Sequence, residues 1–389
     1  MTSPVSSDPH QQRWVPVVSK TGKPLMPCHP ARARKLIAKG KATPRYKNRL
    51  FYIVLTERED GDTQPIALGI DPGSKMEGYT LKSEKRTLLN IQSHATNGKG
   101  ISKAVETRAN ARRARRGRKT PCRACRPNRA RKKDWLPPST HARWQLKYNV
   151  FAWLARLYPI ECVVIEDVKA KTVKGQHAGA KRWNTNFSPI EAGKHWLYRR
   201  LQAYGVQLIK VEGHQTYEMR QGMGLPKTKN KLATIFSAHC VDSWTLANSW
   251  VGGHTAPDLE ALLVLKQLPV IRRQLTLFNP SKGGERRRYG GSLSLGIQKG
   301  TLALHPKWGQ CLVGGYSEEG RLSLHALTSG SRLCQNAKPT DLSLVSHSPW
   351  SLYDHTTANR TQKKAMRRQR ALLRRGQARL LSSSPGYTL

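Results

Sequence analysis

The fold of this chain is decided by the stretch Ile-Ala-Leu-Gly-Ile-Asp at residues 66–71. An uninterrupted apolar run of this length is typical of a strand buried on both faces. The run ends in a carboxylate, and a Pro-Gly-Ser turn follows at once. The stretch therefore predicts a central strand that carries an acid at its carboxyl end.

The elements on either side of this strand predict the fold class. Two further strands fit 77–82 and 87–94, and a helix capped by Ser139 or Thr140 extends to about Tyr158. A strand at 162–166, a helix at 189–204 and a strand at 206–211 follow. A polar loop then runs through Gly224 to a helix at 229–250. Strand-strand-strand-helix-strand-helix-strand-helix is the order of a ribonuclease-H-like fold. The sequence thus predicts an α/β core of this kind.

Acidic residues lie at three corresponding places in this core. Asp71 ends the first strand, Glu166 ends a later one, and Asp242 lies in the segment His239-Cys240-Val241-Asp242. Carboxylates at the ends of apolar strands are costly unless a cation holds them. Phosphodiester hydrolysis uses such acids to bind two Mg²⁺ ions. His239 and Asp242 are three apart and so share one helix face, where His239 could ligate metal or act as general base.

Each of these residues also has an ordinary structural interpretation. Asp71 before Pro-Gly could start a turn, Glu166 and Asp167 could form salt bridges, and His239 could be a hydrogen-bonded core histidine. Taken singly, these interpretations are at least as good as catalysis. Taken together, in this order and on a basic chain, the residues favour a metal-dependent catalytic site.

The charge of the chain points to a polyanionic partner. Lys and Arg total 68 against 24 Asp and Glu, which gives a formal net charge of +44. Nucleic acid is the natural partner, because its phosphates neutralise such charge and release counterions. An anionic membrane is the rival, but no stretch approaches the roughly 20 apolar residues of a spanning helix. A uniformly basic ribosomal-type protein is a further alternative, and the acids inside apolar strands argue against it.

A helix predicted from Ile101 to Lys119 concentrates this charge. From Arg108 onward its basic residues are Arg108, Arg112, Arg113, Arg115, Arg116, Arg118 and Lys119. They occupy all sides of the helix, so no face can pack into an apolar core. Such a helix needs phosphates around it.

Three domains are predicted: a small α+β domain at 1–60, the α/β core at 61–256 and a β-rich domain at 257–389. The first contains strands at 14–18 and 50–55 and a basic helix at 30–40. The last contains short β-prone runs at 292–297, 301–304, 310–313 and 322–327 and ends in a basic tail. These runs fit a small antiparallel barrel or sandwich.

Cysteine usage and the start of the chain favour a cytoplasmic protein. Residues 1–13 lack the apolar region of a signal peptide, and the seven cysteines are irregularly spaced. Cys122 and Cys125 form a lone C-x-x-C pair, and no second pair follows at zinc-ribbon spacing. A structural zinc site is therefore not predicted, and metal binding by this pair is left open.

Several of these pieces together resemble the RuvC-like nucleases of transposon-encoded, RNA-guided systems, the IscB/IsrB group. The matching pieces are Pro24-Leu25-Met26-Pro27, Gly69-Ile70-Asp71-Pro72-Gly73, the arginine helix, Trp135-Leu136-Pro137-Pro138-Ser139, Val164-Ile165-Glu166, His239-Cys240-Val241-Asp242 and Tyr289-Gly290-Gly291-Ser292. They are collinear over about residues 14–315, which makes the combination specific.

This resemblance implies a set of roles. Asp71, Glu166, His239 and Asp242 would bind two Mg²⁺ ions, with Mn²⁺ as a substitute, and form the catalytic set. The arginine helix would be a bridge helix that contacts guide RNA and the guide–target duplex, and the β-rich domain would help read a short motif beside the target. Predicted DNA contacts are Trp183, Arg286, Arg287 and Arg288. The partners would be a large structured guide RNA (omega RNA) and double-stranded target DNA, with one protein copy in a prokaryotic, nucleoid-associated ribonucleoprotein.

One departure indicates the subtype. In IscB-like members an HNH nuclease module lies between the Glu strand and the final H-x-x-D helix, whereas only 76 positions separate Glu166 from Asp242 here. This resembles the shorter IsrB type, whose single RuvC-like centre would nick the displaced non-target strand. Two alternatives remain: an RNA-independent resolvase or transposase of the same fold, and a non-catalytic RNA-binding protein.

Overall fold

The structure, a computed structural model, describes most of the chain. The described residues are 14–95, 135–167, 189–259, 262–267, 293–347 and 350–354, without 74, 318 and 328–329, together with scattered positions between 106 and 117. One compact unit joins the described residues up to Asp62 with those from Leu263, and a second comprises those from Thr63 to Leu262. The predicted three-domain division stays a prediction.

The N-terminal segment forms one helix and a four-stranded sheet of order β2-β1-β4-β3. The elements are β1 (Val15–Val18), β2 (Pro24–Cys28), α1 (Pro30–Ala38), β3 (Ala42–Lys47) and β4 (Leu50–Leu55). Helix α1 begins with Pro30, and the Nδ1 of His29 accepts a hydrogen bond from the N–H of Ala31. Strands β2 and β3 were not predicted from the sequence. All but the first residue of β3 are exposed, so its pattern lacks the apolar alternation of a strand.

The turn between β3 and β4 holds an unusual arginine. Asn48 and Arg49 have φ values of 48° and 70°, the positive angles of a type I′ hairpin turn, which glycine adopts most easily. Arg49 is only 6% exposed, and its three guanidinium nitrogens find no hydrogen-bond partner within the described residues. Burial lowers the pKa of Arg49 to about 10.

Five strands of one sheet form the core of the second unit, in the order β7-β6-β5-β8-β9. They are β5 (Ile66–Asp71), β6 (Met76–Ser83), β7 (Arg86–His94), β8 (Cys162–Asp167) and β9 (Gln207–Glu212). Strands β5, β6 and β7 are antiparallel, and β5, β8 and β9 are parallel. Every residue of β5 and β6 is buried, which accounts for the apolar run that begins at Ile66.

Four helices accompany these strands. They are α2 (Pro138–Ala155), α3 (Pro189–Tyr204), α4 (Gly213–Gly222) and α5 (Cys240–Val251). The element order is the predicted one with two corrections, since the predicted polar loop contains α4 and the helix predicted at 229–250 begins only at Cys240. The N–H of Asn230 donates to Thr228 Oγ1 at 3.2 Å, and the N–H of Leu232 donates to Asn230 Oδ1 at 3.1 Å. Such side-chain bonds compete with helix formation.

A buried ion pair ties α2 to the sheet. Lys147 Nζ lies 2.6 Å from Glu77 Oε1, and the hydroxyl of Tyr79 donates to Glu77 Oε2 at 2.6 Å. All three side chains are buried. Because each charge is paired, burial of this network is tolerated.

Among the helices of the described ranges, none has the length and apolar character that crossing a bilayer requires.

The C-terminal described residues are rich in short strands. They are β10 (Leu262–Gln267), β11 (Leu293–Ser294), β12 (Ile297–Gln298), β13 (Leu302–His305), β14 (Gly309–Tyr316), β15 (Leu322–His325), β16 (Arg332–Ala337), β17 (Ser343–Ser346) and β18 (Trp350–Asp354). Five of them form an antiparallel sheet of order β16-β15-β14-β13-β17. The strands predicted at 301–304, 310–313 and 322–327 are present as β13, β14 and β15.

Candidate metal centre

Three carboxylates converge at one end of the core sheet. Strands β5 and β8 are parallel neighbours with Ile70 opposite Ile165, so Asp71 and Glu166 follow side by side. Asp242 comes from the first turn of α5. One oxygen from each of the three lies within 4.8 Å of the others. Three predicted site residues from distant parts of the sequence are therefore brought together.

Two glycines allow α5 to reach this position. A Cβ atom at Gly69 of β5 would collide with the backbone oxygen of Ser243, and one at Gly78 of β6 would lie 2.5 Å from the backbone oxygen of His239. Helix α5 thus lies directly on the sheet backbone. Buried hydrogen bonds fix it there, from Trp244 Nε1 to Thr87 Oγ1 and between Ser243 Oγ and Thr80 Oγ1, both at 2.8 Å.

Burial and mutual repulsion raise the pKa values of two of the three clustered acids. Burial, followed by the charges of Asp71 and Asp242, raises the pKa of Glu166 to about 7. Burial and the charge of Asp71 likewise raise the pKa of Asp242, although two cations oppose this shift. These cations are Lys227, whose Nζ contacts Asp242 Oδ2, and Arg220, whose Nε lies 3.0 Å from Asp242 Oδ1. Crowded oxygen ligands of this kind, buried at Asp71 and Asp242 and half-buried at Glu166, suit a divalent cation.

His239 lies beside the cluster rather than on the helix face predicted for it. It precedes α5, with φ −134° and ψ −36°, so the prediction that it shares a helical face with Asp242 is wrong. Its Nδ1 lies 3.1 Å from Asp71 Oδ2, and its Nε2 lies 3.0 Å from the backbone oxygen of Lys231. Burial lowers the pKa of His239, but the hydrogen bond and charge of Asp71 outweigh it and the net pKa is raised. A metal-binding role for His239 stays a prediction.

Asp167, next to Glu166, takes the ordinary structural role that was considered for this pair. Lys194 Nζ lies 2.8 Å from Asp167 Oδ1, and the hydroxyl of Tyr198 donates to the same oxygen at 2.8 Å. Both partners come from α3. Asp167 thereby anchors the end of β8 while Glu166 faces the other two acids.

A cavity of about 380 Å³ opens beside the carboxylates. Its lining residues are Asp71, Gly73, Lys75, Met76, Lys227, Lys231, Leu232 and His239. The three lysines and Arg220 were not predicted as site residues, because nothing in the sequence distinguishes them from the other basic residues of the chain. The cavity combines one carboxylate of the cluster with a cationic wall.

Other predicted contact residues lie largely outside the described residues. Arg113 is the one predicted arginine of the arginine helix that lies within the described residues. It is exposed in a helical segment, and its Nη1 donates to Asn110 Oδ1 at 3.2 Å. Outside the described residues lie Arg108, Arg112, Arg115, Arg116, Arg118, Lys119, Trp183, Arg286, Arg287 and Arg288, the Cys122/Cys125 pair and the basic tail.

The sheet and its three carboxylates define the class of the protein: a mixed α/β protein with an acidic cluster suited to divalent metal. Residues 15–185 match the protein-family model described as RRXRR protein. The chain carries Arg-Arg-Ala-Arg-Arg at residues 112–116, within this match. Among solved structures it is similar to the yeast mitochondrial Holliday junction resolvase Ydc2, with a TM-score of 0.25 and 14% identity over 49% of this chain and 80% of that chain. The comparison with curated proteins gives no match.

Proposed function

We propose that this protein is an RNA-guided, Mg²⁺-dependent DNA endonuclease with a ribonuclease-H-like (RuvC) core, which nicks the displaced non-target strand. The observation that carries the proposal is the convergence of Asp71, Glu166 and Asp242 within 4.8 Å from three separate elements. A protein that only bound nucleic acid would gain nothing from clustered acids that repel phosphate. Metal-dependent hydrolysis of a phosphodiester uses such a cluster to hold its ions.

The three carboxylates would hold the metal. Their oxygens are hard ligands of the kind that Mg²⁺ and Mn²⁺ prefer. Burial and the charges of Asp71 and Asp242 raise the pKa of Glu166, and a divalent cation would relieve this repulsion. Bound Mg²⁺ would supply an activated water and stabilise the charge of the leaving oxygen. His239 would keep Asp71 oriented through the Nδ1–Oδ2 contact, and Arg220 would do the same for Asp242.

Guidance by RNA is supported by charge and by the family match. A net charge of +44 and the pattern Arg-Arg-Ala-Arg-Arg fit a chain that is surrounded by phosphates. Base pairing with a guide would supply sequence specificity, while the protein holds the heteroduplex by its backbone. The partners would be a large structured guide RNA and double-stranded target DNA, and the β-rich C-terminal residues would help read a flanking motif.

Strand-resolved cleavage of a supercoiled plasmid tests this proposal. The protein is co-expressed with its flanking non-coding locus and assayed with Mg²⁺ or EDTA, as wild type and as Asp71→Asn. The matched control is Asp60→Asn, which neutralises an exposed aspartate paired with Lys23 in the other unit. We expect guide-dependent nicking of the non-target strand by wild type and Asp60→Asn, and none by Asp71→Asn or in EDTA.

Each other outcome selects a different function. Cutting without a guide would indicate a resolvase or transposase. Tightly bound RNA without any cutting would indicate a non-catalytic RNA-binding protein. Cleavage of both strands would indicate a second nuclease centre.

A further inference from the structure

The cavity beside the carboxylates has a composition that the metal centre alone does not explain. Lys75, Lys227 and Lys231 line it, together with Asp71 and His239. Its volume of about 380 Å³ falls within the range of small-molecule binding sites, roughly 300–1,000 Å³. Ligands that join a metal centre to a wall of ammonium groups are anionic.

Lys227 has a partner that a substrate would compete for. Its Nζ contacts Asp242 Oδ2, and the charges of Asp71 and Glu166 act on it as well. Without metal, Lys227 is therefore a counter-ion of the acidic cluster. A lysine suits this role, because its compact charge lies on a flexible stem that can turn from one anion to another.

Lys75 and Lys231 come from segments far apart in the sequence. Lys75 follows the turn after Asp71, whereas Lys231 belongs to the segment before α5 and also offers its backbone oxygen to His239 Nε2. Both lysines are exposed. Both residues also line the cavity, so they add positive charge where the carboxylates would otherwise repel an approaching phosphate.

We infer that this cavity binds one phosphate of the DNA strand to be cut, through Lys75, Lys227 and Lys231. Lys227 exchanges Asp242 for this phosphate when the carboxylates bind metal. Met76 and Leu232 add apolar lining at the same cavity, against which a sugar or base can pack. The inference rests on the proposed function, which it extends by naming the groups that position the substrate.

Metal binding in the absence of DNA tests the counter-ion role. Calorimetric titration with Mn²⁺ compares the wild-type ribonucleoprotein with complexes carrying Lys227→Met, Lys227→Arg, Lys231→Met or Lys229→Met. Lys229 is exposed on the same segment and does not line the cavity. We expect Lys227→Met to bind Mn²⁺ about tenfold more tightly, Lys227→Arg to resemble wild type, and the other two to change less. Equal affinities for Lys227→Met and Lys231→Met would overturn the counter-ion role.

Binding of a labelled single-stranded DNA tests the phosphate site. Fluorescence anisotropy is recorded with Ca²⁺ in place of Mg²⁺, and the integrity of the strand is checked after each titration. We expect Lys75→Met and Lys231→Met each to weaken binding about tenfold and to reduce the salt slope by about 0.7, with no change in Lys229→Met. If both variants bind like Lys229→Met, the cavity is not the phosphate site.

The two proposals fail separately. A wild-type complex that binds no more Mn²⁺ than a complex carrying Asp71→Asn overturns the metal centre and with it the proposed function. A complex that binds Mn²⁺ and nicks DNA, while all lysine variants behave like Lys229→Met, overturns only the inference. Thermal unfolding of each variant shows whether the fold is retained.

Discussion

His239 Nδ1 lies 3.1 Å from Asp71 Oδ2, although the two residues are 168 positions apart. The other ring nitrogen of His239 is held by the backbone oxygen of Lys231 at 3.0 Å. The imidazole therefore links the end of β5 to the segment that leads into α5. The orientation of Asp71 depends on both contacts, and the acidic cluster depends on this orientation.

The effect of Glu166→Gln on the free energy of unfolding should change sign when metal is added. Without metal the variant removes one of three crowded charges, so above pH 7 we expect its free energy of unfolding to exceed that of wild type by about 2 kcal/mol. With saturating Mg²⁺ wild type should be the more stable, because it binds the ion more tightly. Thermal unfolding in EDTA and in Mg²⁺ measures both signs.

The control for this reversal is Glu161→Gln. Glu161 is exposed and precedes the opposite end of β8. It should show no reversal. A Glu166→Gln variant that is less stable than wild type in both buffers would contradict a repulsive acidic cluster.

Gly69→Ala should damage the metal centre through the backbone alone. The new methyl group would meet the backbone of Ser243 and Ala247 and push α5 off the sheet. We expect a loss of about 3 kcal/mol in the free energy of unfolding and weaker Mn²⁺ binding, because Asp242 moves with α5. Gly222→Ala is the control, since a Cβ there meets nothing within 4 Å. An unchanged Mn²⁺ affinity in Gly69→Ala would contradict this role of α5.

Lys82 should make the free energy of unfolding depend on pH in the alkaline range. It is fully buried, its Nζ donates to the backbone oxygen of Gly252 at 2.7 Å, and burial lowers its pKa from 10.5 to about 8. Between these two pH values the unfolded chain binds more protons than the folded chain, so this residue makes stability rise with pH across that window. Below pH 8 Lys82 is protonated in both the folded and the unfolded chain, so its contribution to stability no longer changes with pH.

Unfolding of Lys82→Met across the same window isolates this effect. Wild type should gain at most about 3 kcal/mol relative to the variant between pH 8 and 10.5. Other titrating groups are common to both proteins and cancel in the difference. Parallel pH profiles for the two proteins would show that Lys82 is not responsible.

Arg49→Met should stabilise the protein. The variant keeps a long apolar stem and removes a buried charge that lacks a hydrogen-bond partner in the described part of the chain. We expect the free energy of unfolding to rise by about 1–3 kcal/mol. Arg58→Met, which removes the same charge from an exposed position, should not be stabilising. Loss of stability in Arg49→Met would mean that the guanidinium has a partner in solution.

Two acids of the site, Asp71 and Glu166, could be predicted because their positions follow from strand geometry. A strand buried on both faces reads as an apolar run, and the residue after the run lies at its carboxyl end. Parallel pairing then places Asp71 beside Glu166. No feature of tertiary structure beyond the sheet is needed for this step.

The remaining parts of the site depend on contacts that the sequence does not mark. The helix predicted from 229 was too long because Thr228 and Asn230 bond to nearby backbone groups instead of permitting a helix. His239 consequently reaches Asp71 from a non-helical position. Lys75, Lys227 and Lys231 are three of 68 basic residues, and only the folded chain distinguishes them.

The dispersal of the three acids along the chain also has a consequence during synthesis. Asp71 and Glu166 leave the ribosome well before Asp242, and α5 can complete the cluster only after it has docked on Gly69 and Gly78. A nascent or truncated chain that stops before Asp242 therefore carries an incomplete set of ligands. The order of translation thus delays assembly of the centre until most of the sheet can already have formed.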